Sequence, residues 1–324
     1  MVALARMRSF FGARCFLKPT KAGRIAVGLL SCLLIASPAR PGQPVALAQV
    51  TDSRINEASG IAASRLNPGC YYIHNDSGCA PCVYLIDRAG RVLLEIRLNG
   101  VEARDCEDIA LAPGERPGVF DVCVADIGDN KAARRNVSIY RFPEPPLPQR
   151  DKTASGPAQT PAVIQVHPAR YMLRYAGGPA DAEAFCVHPR TGDGYILTKR
   201  IDGRSIVYKL PAPWNQNEQT LRELCTVELP MAMIGLSRIV TAADISPDGR
   251  RLAVRCYVNG WEWRLPAGAN DQSFDRSFTV KPMQLNLPSE LQGEALCYSL
   301  DGATFLTISE GWSPTLWETP APAP

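Results

Sequence analysis

The stretch Asp105-Cys106-Glu107-Asp108-Ile109-Ala110 is the clearest of five copies of a six-residue pattern, called the hexad below. Most copies open with acidic or amide residues, continue into small and apolar residues, and lead into a turn and a second apolar stretch. Such self-similarity indicates one supersecondary unit repeated along the chain. The other copies are Glu57-Ala58-Ser59-Gly60-Ile61-Ala62, Asp181-Ala182-Glu183-Ala184-Phe185-Cys186, a weaker Thr241-Ala242-Ala243-Asp244-Ile245-Ser246, and Gln292-Gly293-Glu294-Ala295-Leu296-Cys297.

The segments between the hexads predict short strands, because they are rich in β-branched and aromatic residues and are separated by turn residues. Successive hexads begin 48, 76, 60 and 51 residues apart. About 50 residues for each four-stranded unit is typical of propeller repeats. The sequence therefore predicts an all-β fold, a β-propeller of five four-stranded blades. Six blades are the alternative, if the 76-residue interval contains a degenerate blade.

The two ends of the repeat array predict how the ring closes. The fifth unit is one strand short, and residues 49–55 precede the first hexad without another partner. Pairing between them would remove the exposed sheet edges. The long second interval contains a Pro-rich stretch at about residues 143–161, which predicts an exposed loop insertion. Residues 49–324 are thus expected to form a single propeller domain.

Residues 1–48 have the pattern of a secretory signal peptide. They contain seven basic residues and no acidic residue, an apolar run from Ile25 to Ala36, and the small-x-small triplet Ala46-Leu47-Ala48. The apolar run is shorter than the roughly 20 residues that span a bilayer. We expect cleavage near Ala48 and a secreted or periplasmic protein. A lipoprotein modified at Cys32 and an uncleaved membrane anchor are the alternatives.

The charge of the remaining chain excludes one class of partner. Residues 49–324 have 28 basic and 32 acidic residues, whereas a nucleic-acid-binding protein presents a basic face. We therefore expect no nucleic-acid partner. We also expect no membrane span in the mature chain, and a monomer.

The hexads predict an acidic centre. Alternate residues of a strand point to one side, so the first and third hexad positions would face the channel lined by the innermost strands. Carboxylates that converge there repel one another unless a cation lies among them or some are protonated. A hard cation that takes six to eight oxygen ligands, such as calcium, fits this set. The alternative is that each carboxylate caps a turn or pairs with a neighbouring group. The predicted metal ligands are Glu57, Asp105, Glu107, Asp181, Glu183 and Glu294.

The ends of the predicted second strands supply further polar residues at the same mouth, because a second strand runs opposite to the first. Acidic residues there could add oxygen ligands, and basic residues could bind a phosphate or carboxylate group. The alternative is that these residues only form turns, which Asn, Asp and Gly favour. The candidate base for proton transfer is His74, although a structural histidine is the alternative. The candidate ligand-binding residues are Asn75, Asp76, Asp126, Asp129, Lys199, Arg200, Arg255 and Glu310.

These motifs resemble a family of uncharacterised secreted bacterial β-propellers. The resemblance covers essentially residues 49–318 and includes Glu57 to Ile61 followed by His74-Asn75-Asp76-Ser77-Gly78, and Gln292 to Ala295 followed by Ser309-Glu310-Gly311. More distantly, the chain is similar to esterase-like phytase, SdiA-regulated and gluconolactonase-type propellers. That similarity implies a propeller whose channel can hold calcium. The fourth hexad lacks the acids, which argues against a fully symmetric metal ring.

We therefore expect an exported propeller that binds a small polar or anionic ligand or a cation, best calcium, at an acidic channel mouth. Two alternatives come from other classes of protein. One is a metal-dependent hydrolase of phosphoesters or lactones that uses His74 as its base. The other is an interaction platform that uses the rim and the Pro-rich loop.

Overall fold

The computed structural model describes residues 42–76, 81–148, 160–231, 235–290 and 292–323. Two short 3-10 helices, Gly235–Arg238 and Asp271–Thr279, accompany the strands. Within these ranges the strands follow one another as β1 (Val45–Gln49), β2 (Ala58–Ala63), β3 (Cys70–Asn75), β4 (Cys82–Asp87), β5 (Val92–Leu98), β6 (Cys106–Pro113), β7 (Phe120–Asp126), β8 (Val137–Pro143), β9 (Ala162–Val166), β10 (Ala169–Tyr175), β11 (Ala182–Val187), β12 (Gly194–Thr198), β13 (Arg204–Leu210), β14 (Gln219–Leu221), β15 (Glu223–Glu228), β16 (Val240–Ile245), β17 (Arg251–Cys256), β18 (Asn259–Arg264), β19 (Met283–Leu285), β20 (Gly293–Tyr298), β21 (Thr304–Ser309) and β22 (Thr315–Pro320).

These strands form a five-bladed β-propeller, as the repeat spacing predicts. From the axis outward, blade 1 is β2-β3-β4-β5 and blade 2 is β6-β7-β8-β10. Blades 3 and 4 are β11-β12-β13-β15 and β16-β17-β18-β19, and blade 5 is β20-β21-β22-β1. Each innermost strand contacts the innermost strands of both neighbouring blades, and β20 contacts β2, so the ring is closed.

Apolar side chains between the blades form the core. Five clusters of buried residues each join two adjacent blades, and together they complete the circle in the described part of the chain. Most blade strands are therefore buried on both faces. The innermost strand β11, for example, is buried at all six of its residues. A strand packed on both faces has a nearly continuous apolar sequence, which explains why the hexads run directly into small and apolar residues.

The long second interval does not contain a sixth blade. Its residues return to blade 1, where β9 pairs in parallel with β5 and adds a fifth strand. At the start of the Pro-rich stretch, the buried Glu144 carboxylate accepts hydrogen bonds from Ser64 Oγ at 2.6 Å and from the Arg65 amide at 2.9 Å. The stretch is therefore more than an exposed loop, because both of its ends secure blade 1 against blade 2. Residues 149–159 lie outside the described ranges.

The closing strand lies upstream of its predicted position. It is β1, Val45–Gln49, rather than residues 49–55, and it pairs antiparallel with β22 from Val45 opposite Glu318 to Gln49 opposite Thr315. The predicted cleavage point after Ala48 therefore lies inside a strand of blade 5. Most of the predicted signal peptide, residues 1–41, lies outside the described ranges, and export stays a prediction. In the part of the chain that the structure covers, no helix has both the length and the apolar character to cross a membrane.

A chain that begins at Gln49 should be less stable than one that begins at Gly42. The shorter chain loses the paired backbone of Val45, Ala46 and Ala48, and it loses the hydrogen bond from Asn286 Nδ2 to the Gly42 carbonyl. At about 0.5–1.5 kcal/mol for each hydrogen bond, the loss should be on the order of 2–4 kcal/mol. Urea denaturation of the two chains measures it. If the two chains have equal urea midpoints and equal slopes of the free energy of unfolding against urea, β1 does not contribute to ring closure.

Candidate functional site

A β-bulge at the third hexad position is common to all five innermost strands. In β6, for instance, Cys106 pairs with Asp126 and Asp108 pairs with Ala125, so Glu107 is the extra residue. A bulge bends its strand and changes the direction of a side chain. The bulged residues are all buried, with 0–4 % of each residue exposed, and they are Ser59, Glu107, Glu183, Thr241 and Glu294.

The bulges correct the predicted position of the fourth hexad. In β16 the extra residue is Thr241, between the pairs formed by Val240 and Ala242. The fourth copy therefore begins at Ile239, two residues before the predicted start at Thr241. Its first and third positions are Ile239 and Thr241, so blade 4 supplies no acid from these two positions. The acid of this strand, Asp244, accepts hydrogen bonds from the Ile245 and Tyr298 amides.

The inner and second strands bring the predicted polar residues to one end of the channel, which we call the mouth. Ala58 at the start of β2 lies opposite Asn75 at the end of β3, and Gly293 at the start of β20 lies opposite Ser309 at the end of β21. The same pairing recurs in the other blades. Each second strand therefore ends at the mouth where the first strand begins, as the sequence predicts.

Three carboxylates meet at the mouth between blades 1 and 2. One oxygen each of Asp76, Asp105 and Glu107 lie within 4.8 Å of one another, and we call this group the acidic triad. Burial raises the pKa of Asp76 to about 8, and a hydrogen bond to Asp105 and the charge of that residue add to the rise. Burial, with Glu183 and Asp76 nearby, also raises the pKa of Glu107 well above its usual range. The Oδ1 atom of Asp76 is buried and has no hydrogen-bond partner among the described residues.

The triad depends on a glycine at the end of the second strand of blade 2. A Cβ atom added to Gly128 would overlap Glu107 Oε1 and the carboxyl group of Asp105. Only a residue without a side chain therefore leaves room for both carboxylates. Gly128 lies in the stretch from Asp126 to Asn130, whose polar residues drew attention in the sequence while the glycine itself was missed.

A second group of charges lies deeper, next to the triad. Lys199 Nζ donates to Glu183 Oε1 at 2.6 Å and lies 5.3 Å from the ring centre of Tyr257. Burial raises the pKa of Glu183 to about 7, although Lys199 opposes that rise. Glu294 is buried in the same region, and its Oε2 has no hydrogen-bond partner in the described part of the chain. This deeper group thus has one lysine for two carboxylates.

The predicted metal ligands therefore separate into two sets. Asp105 and Glu107 are in the triad, and Asp76 joins them although it was predicted as a ligand-binding residue. Glu183 is paired with Lys199, and Asp181 Oδ1 accepts a hydrogen bond from the Asp129 amide at 2.8 Å. Glu57 is exposed at the rim. Asp181 and Glu183 thus have partners of their own besides the neighbouring acids.

Most of the predicted ligand-binding residues support backbone or pair with other charges. Asn75 accepts from the Glu57 amide, Asp126 accepts from the Asp105 amide, and Asp129 Oδ2 accepts from the Arg134 amide. These three contacts favour the interpretation that such residues form turns. The remaining predicted residues have side-chain partners: Arg200 pairs with Asp202, Arg255 with Glu290, and Glu310 with Gln292.

His74 lies inside the protein rather than at the surface of the mouth. It is 1 % exposed, its Nδ1 lies 3.0 Å from the Asn75 carbonyl oxygen, and a Cβ on Gly60 would overlap its Nε2. Burial lowers the pKa of His74 to about 4, so the ring is neutral at physiological pH. This environment is that of a structural histidine, and the base role proposed for it gains no support.

Sequence reasoning missed Asp108, which lies on the axis below the triad. Its carboxylate accepts backbone hydrogen bonds from Ile109 at 2.8 Å, from Phe185 of blade 3 at 2.9 Å and from Ala243 of blade 4 at 3.1 Å. The fourth hexad position has a small residue in every other blade. Those residues are Gly60, Ala184, Ala242 and Ala295.

Comparisons with known proteins give no relative from which to transfer a function: no protein-family model matches the chain, and no curated protein matches it significantly. The resemblance to secreted bacterial propellers therefore stays an expectation from the quoted motifs.

Replacing Glu294 with Gln should stabilise the protein increasingly as the pH rises. Burial raises the pKa of Glu294 to about 8, with Glu183 adding to the rise, whereas the unfolded value is about 4.3. The folded state keeps a proton that the unfolded state loses, so this group's contribution to the free energy of unfolding falls between about pH 4 and pH 8. The amide has no charge to desolvate.

The gain in free energy of unfolding from Glu294→Gln should be near zero at pH 4 and reach on the order of 1–3 kcal/mol by pH 8, as measured by denaturant titration. Glu115→Gln, a change at an exposed residue, is the control and should show no such trend. If the gain in free energy of unfolding from Glu294→Gln stays constant or decreases as the pH rises, folding does not raise the pKa of Glu294.

Proposed function

We propose that this propeller binds a divalent cation, best calcium, at the acidic triad of Asp76, Asp105 and Glu107. The single observation that carries the proposal is the convergence of three carboxylate oxygens within 4.8 Å, where one of the carboxylates leaves a buried oxygen without a partner. Like charges so close together are costly unless a proton or a cation compensates them. Burial, together with the neighbouring carboxylates, raises the pKa of Asp76 and of Glu107.

The donor set favours calcium over other metals. Carboxylate oxygens are hard ligands, and calcium accepts six to eight of them in irregular geometry, whereas zinc sites usually contain nitrogen or sulfur ligands. No histidine or cysteine side chain belongs to the triad. Three carboxylates, each binding through one or two oxygens, supply part of the coordination shell, and water would supply the rest. Magnesium requires a stricter octahedron and keeps more of its water.

The surroundings favour binding over catalysis. A metal-dependent hydrolase needs a base or an activated water near the cation. The candidate base His74 is buried and neutral, and Lys199 is paired with Glu183. We therefore propose a cation-binding propeller and attach no reaction to the mouth.

Calcium should raise the melting temperature of the wild-type protein, because a ligand that binds only the folded state stabilises it by mass action. At about 100 times the dissociation constant the gain is roughly 2.7 kcal/mol, which corresponds to a shift of roughly 4–5 °C for a chain of this size. Differential scanning fluorimetry in chelator-treated buffer, with and without calcium, measures this shift. The double variant Asp105→Asn, Glu107→Gln should lose it.

Two controls make the test specific. Asp202→Asn removes an exposed carboxylate that pairs with Arg200 and should keep the full calcium shift. Magnesium at the same concentration should give a smaller shift than calcium. If calcium does not stabilise the wild-type protein, or stabilises the double variant equally, the proposed site is wrong.

Gly128→Ala tests the same site without changing any charge. The added Cβ would push Glu107 and Asp105 apart, so calcium affinity should fall by about tenfold or more, as expected when carboxylate ligands are displaced. Isothermal titration with calcium measures the affinity, and the melting temperature in chelator shows whether the variant is folded. An unchanged affinity would place the cation elsewhere.

A further inference from the structure

A cavity of about 290 Å³ opens on blade 2, outward from the mouth. Its lining comes from three separate segments: Arg104 precedes β6, Arg134 and Arg135 lie between β7 and β8, and Arg170 is on β10. Four arginines thus face one cavity, although nothing in the sequence groups them apart from the adjacent pair. Two acids, Glu102 and Asp126, also line it.

The charges of this cavity do not cancel. Arg134 Nη1 pairs with Asp126 Oδ1 at 2.9 Å, so that acid is already neutralised. In the described ranges, no carboxylate lies within ion-pair distance of Arg104, Arg135 or Arg170, whereas many other arginines of the protein are paired, such as Arg141 with Asp121. Glu102 is the remaining acid at the rim. The cavity therefore has more positive than negative charge. Arg170 Nε donates to Ser138 Oγ at 2.9 Å, but three of the four arginines lack the carboxylate partners that a guanidinium prefers.

Arg134 gives the cavity a fixed wall. Its guanidinium donates to the Gly128 carbonyl at 2.6 Å and to the Asp126 carbonyl at 3.2 Å, and 12 % of the side chain is exposed. Its Nε is buried without a hydrogen-bond partner among the described residues, as is Oδ1 of Asn136, which also lines the cavity. Unpaired buried polar atoms of this kind cost free energy. An oxyanion could accept hydrogen bonds from the guanidinium groups, whereas the Asn136 oxygen is itself an acceptor and needs a donor such as water.

We propose that this arginine cavity is a binding site for a small oxyanion, a phosphate ester or a polycarboxylate. Guanidinium groups match the planar or tetrahedral oxygens of such anions and can bind them through two hydrogen bonds. The cavity is several times larger than the roughly 30 Å³ that one water occupies in the liquid. It therefore has room for an anion with an organic part rather than for a single halide.

This site is distinct from both the acidic triad and the basic residues that the sequence pointed to. Lys199 and Arg255 are paired with Glu183 and Glu290 deeper in the protein, and neither lines the cavity. The proposal does not depend on a bound cation. The experiment below is therefore done on protein that has been treated with a chelator and then dialysed free of it, because chelators are themselves polycarboxylates. Its outcome is then independent of the calcium test.

Isothermal titration of the protein with inorganic phosphate and with citrate tests the proposal. Ionic strength is kept constant with sodium chloride, because exposed charges are screened by salt. We expect saturable binding of at least one of these anions to the wild-type protein. The double variant Arg104→Gln, Arg170→Gln should weaken it by about tenfold or more, because it removes two guanidinium groups that can donate charge-assisted hydrogen bonds to an oxyanion.

The matched control is Arg276→Gln, which removes an exposed arginine from blade 4 that is likewise unpaired in the described part of the chain. It should keep wild-type affinity. Melting temperatures show whether each variant is folded, and Arg135→Gln alone provides a milder variant if the double variant is unstable. The absence of saturable binding to the wild-type protein, or an equal loss in the control, would overturn the proposal.

Discussion

The bulge at the third hexad position is the constraint on which the centre of this protein depends. It places one extra residue in each innermost strand and buries that residue's side chain near the axis. A buried polar side chain needs a partner. Ser59 and Thr241 meet this need with hydrogen bonds to the backbone of the next blade, at 2.9 Å to the Glu107 carbonyl and 2.7 Å to the Gly293 carbonyl.

The three glutamates at the same position cannot be satisfied in this way, because a carboxylate accepts hydrogen bonds and cannot donate to a carbonyl. Each finds a different solution. Glu183 pairs with Lys199, and burial raises the pKa of Glu294 to about 8, so that it is half protonated near that pH. Glu107 lies beside Asp76 and Asp105 with no basic side chain in ion-pair contact among the described residues. The same bulge therefore places Glu294 where its neutral form is favoured, Glu183 in an ion pair, and Glu107 among other acids.

The sequence predicted the architecture well because the repeat is a backbone property. Each blade needs an inner strand, a turn and a second strand, and these features recur with nearly constant spacing. The closing strand was placed a few residues too far downstream because Ala46-Leu47-Ala48 also fits a cleavage site, and short strands have little pattern of their own. The fourth hexad was placed two residues too far downstream because Ile239 and Thr241 replace the acids of other copies, and Asp244-Ile245 resembles Asp108-Ile109.

The site was predicted only in part, since side-chain partners are set by neighbouring blades. Nothing near Glu183 in the sequence indicates that Lys199 neutralises it. Likewise, nothing near Asp108 indicates that its carboxylate accepts hydrogen bonds from blades 3 and 4. The arginine cavity is assembled from three segments up to 66 residues apart, from Arg104 to Arg170. Residue type and spacing identify which groups are available, whereas the packing of the blades decides which of them remain without a partner.

Arg134 connects the two proposed sites. Its guanidinium lines the arginine cavity and binds the carbonyl of Gly128, and Gly128 is the residue that leaves room for Asp105 and Glu107 in the triad. An anion beside Arg134 and a cation in the triad would carry opposite charges on the two sides of this short stretch. Opposite charges attract, so each would favour the binding of the other, and such coupling must be equal in both directions. The hydrogen-bonded segment from Asp126 to Arg134 lies between the two proposed sites, and the attraction would act across it.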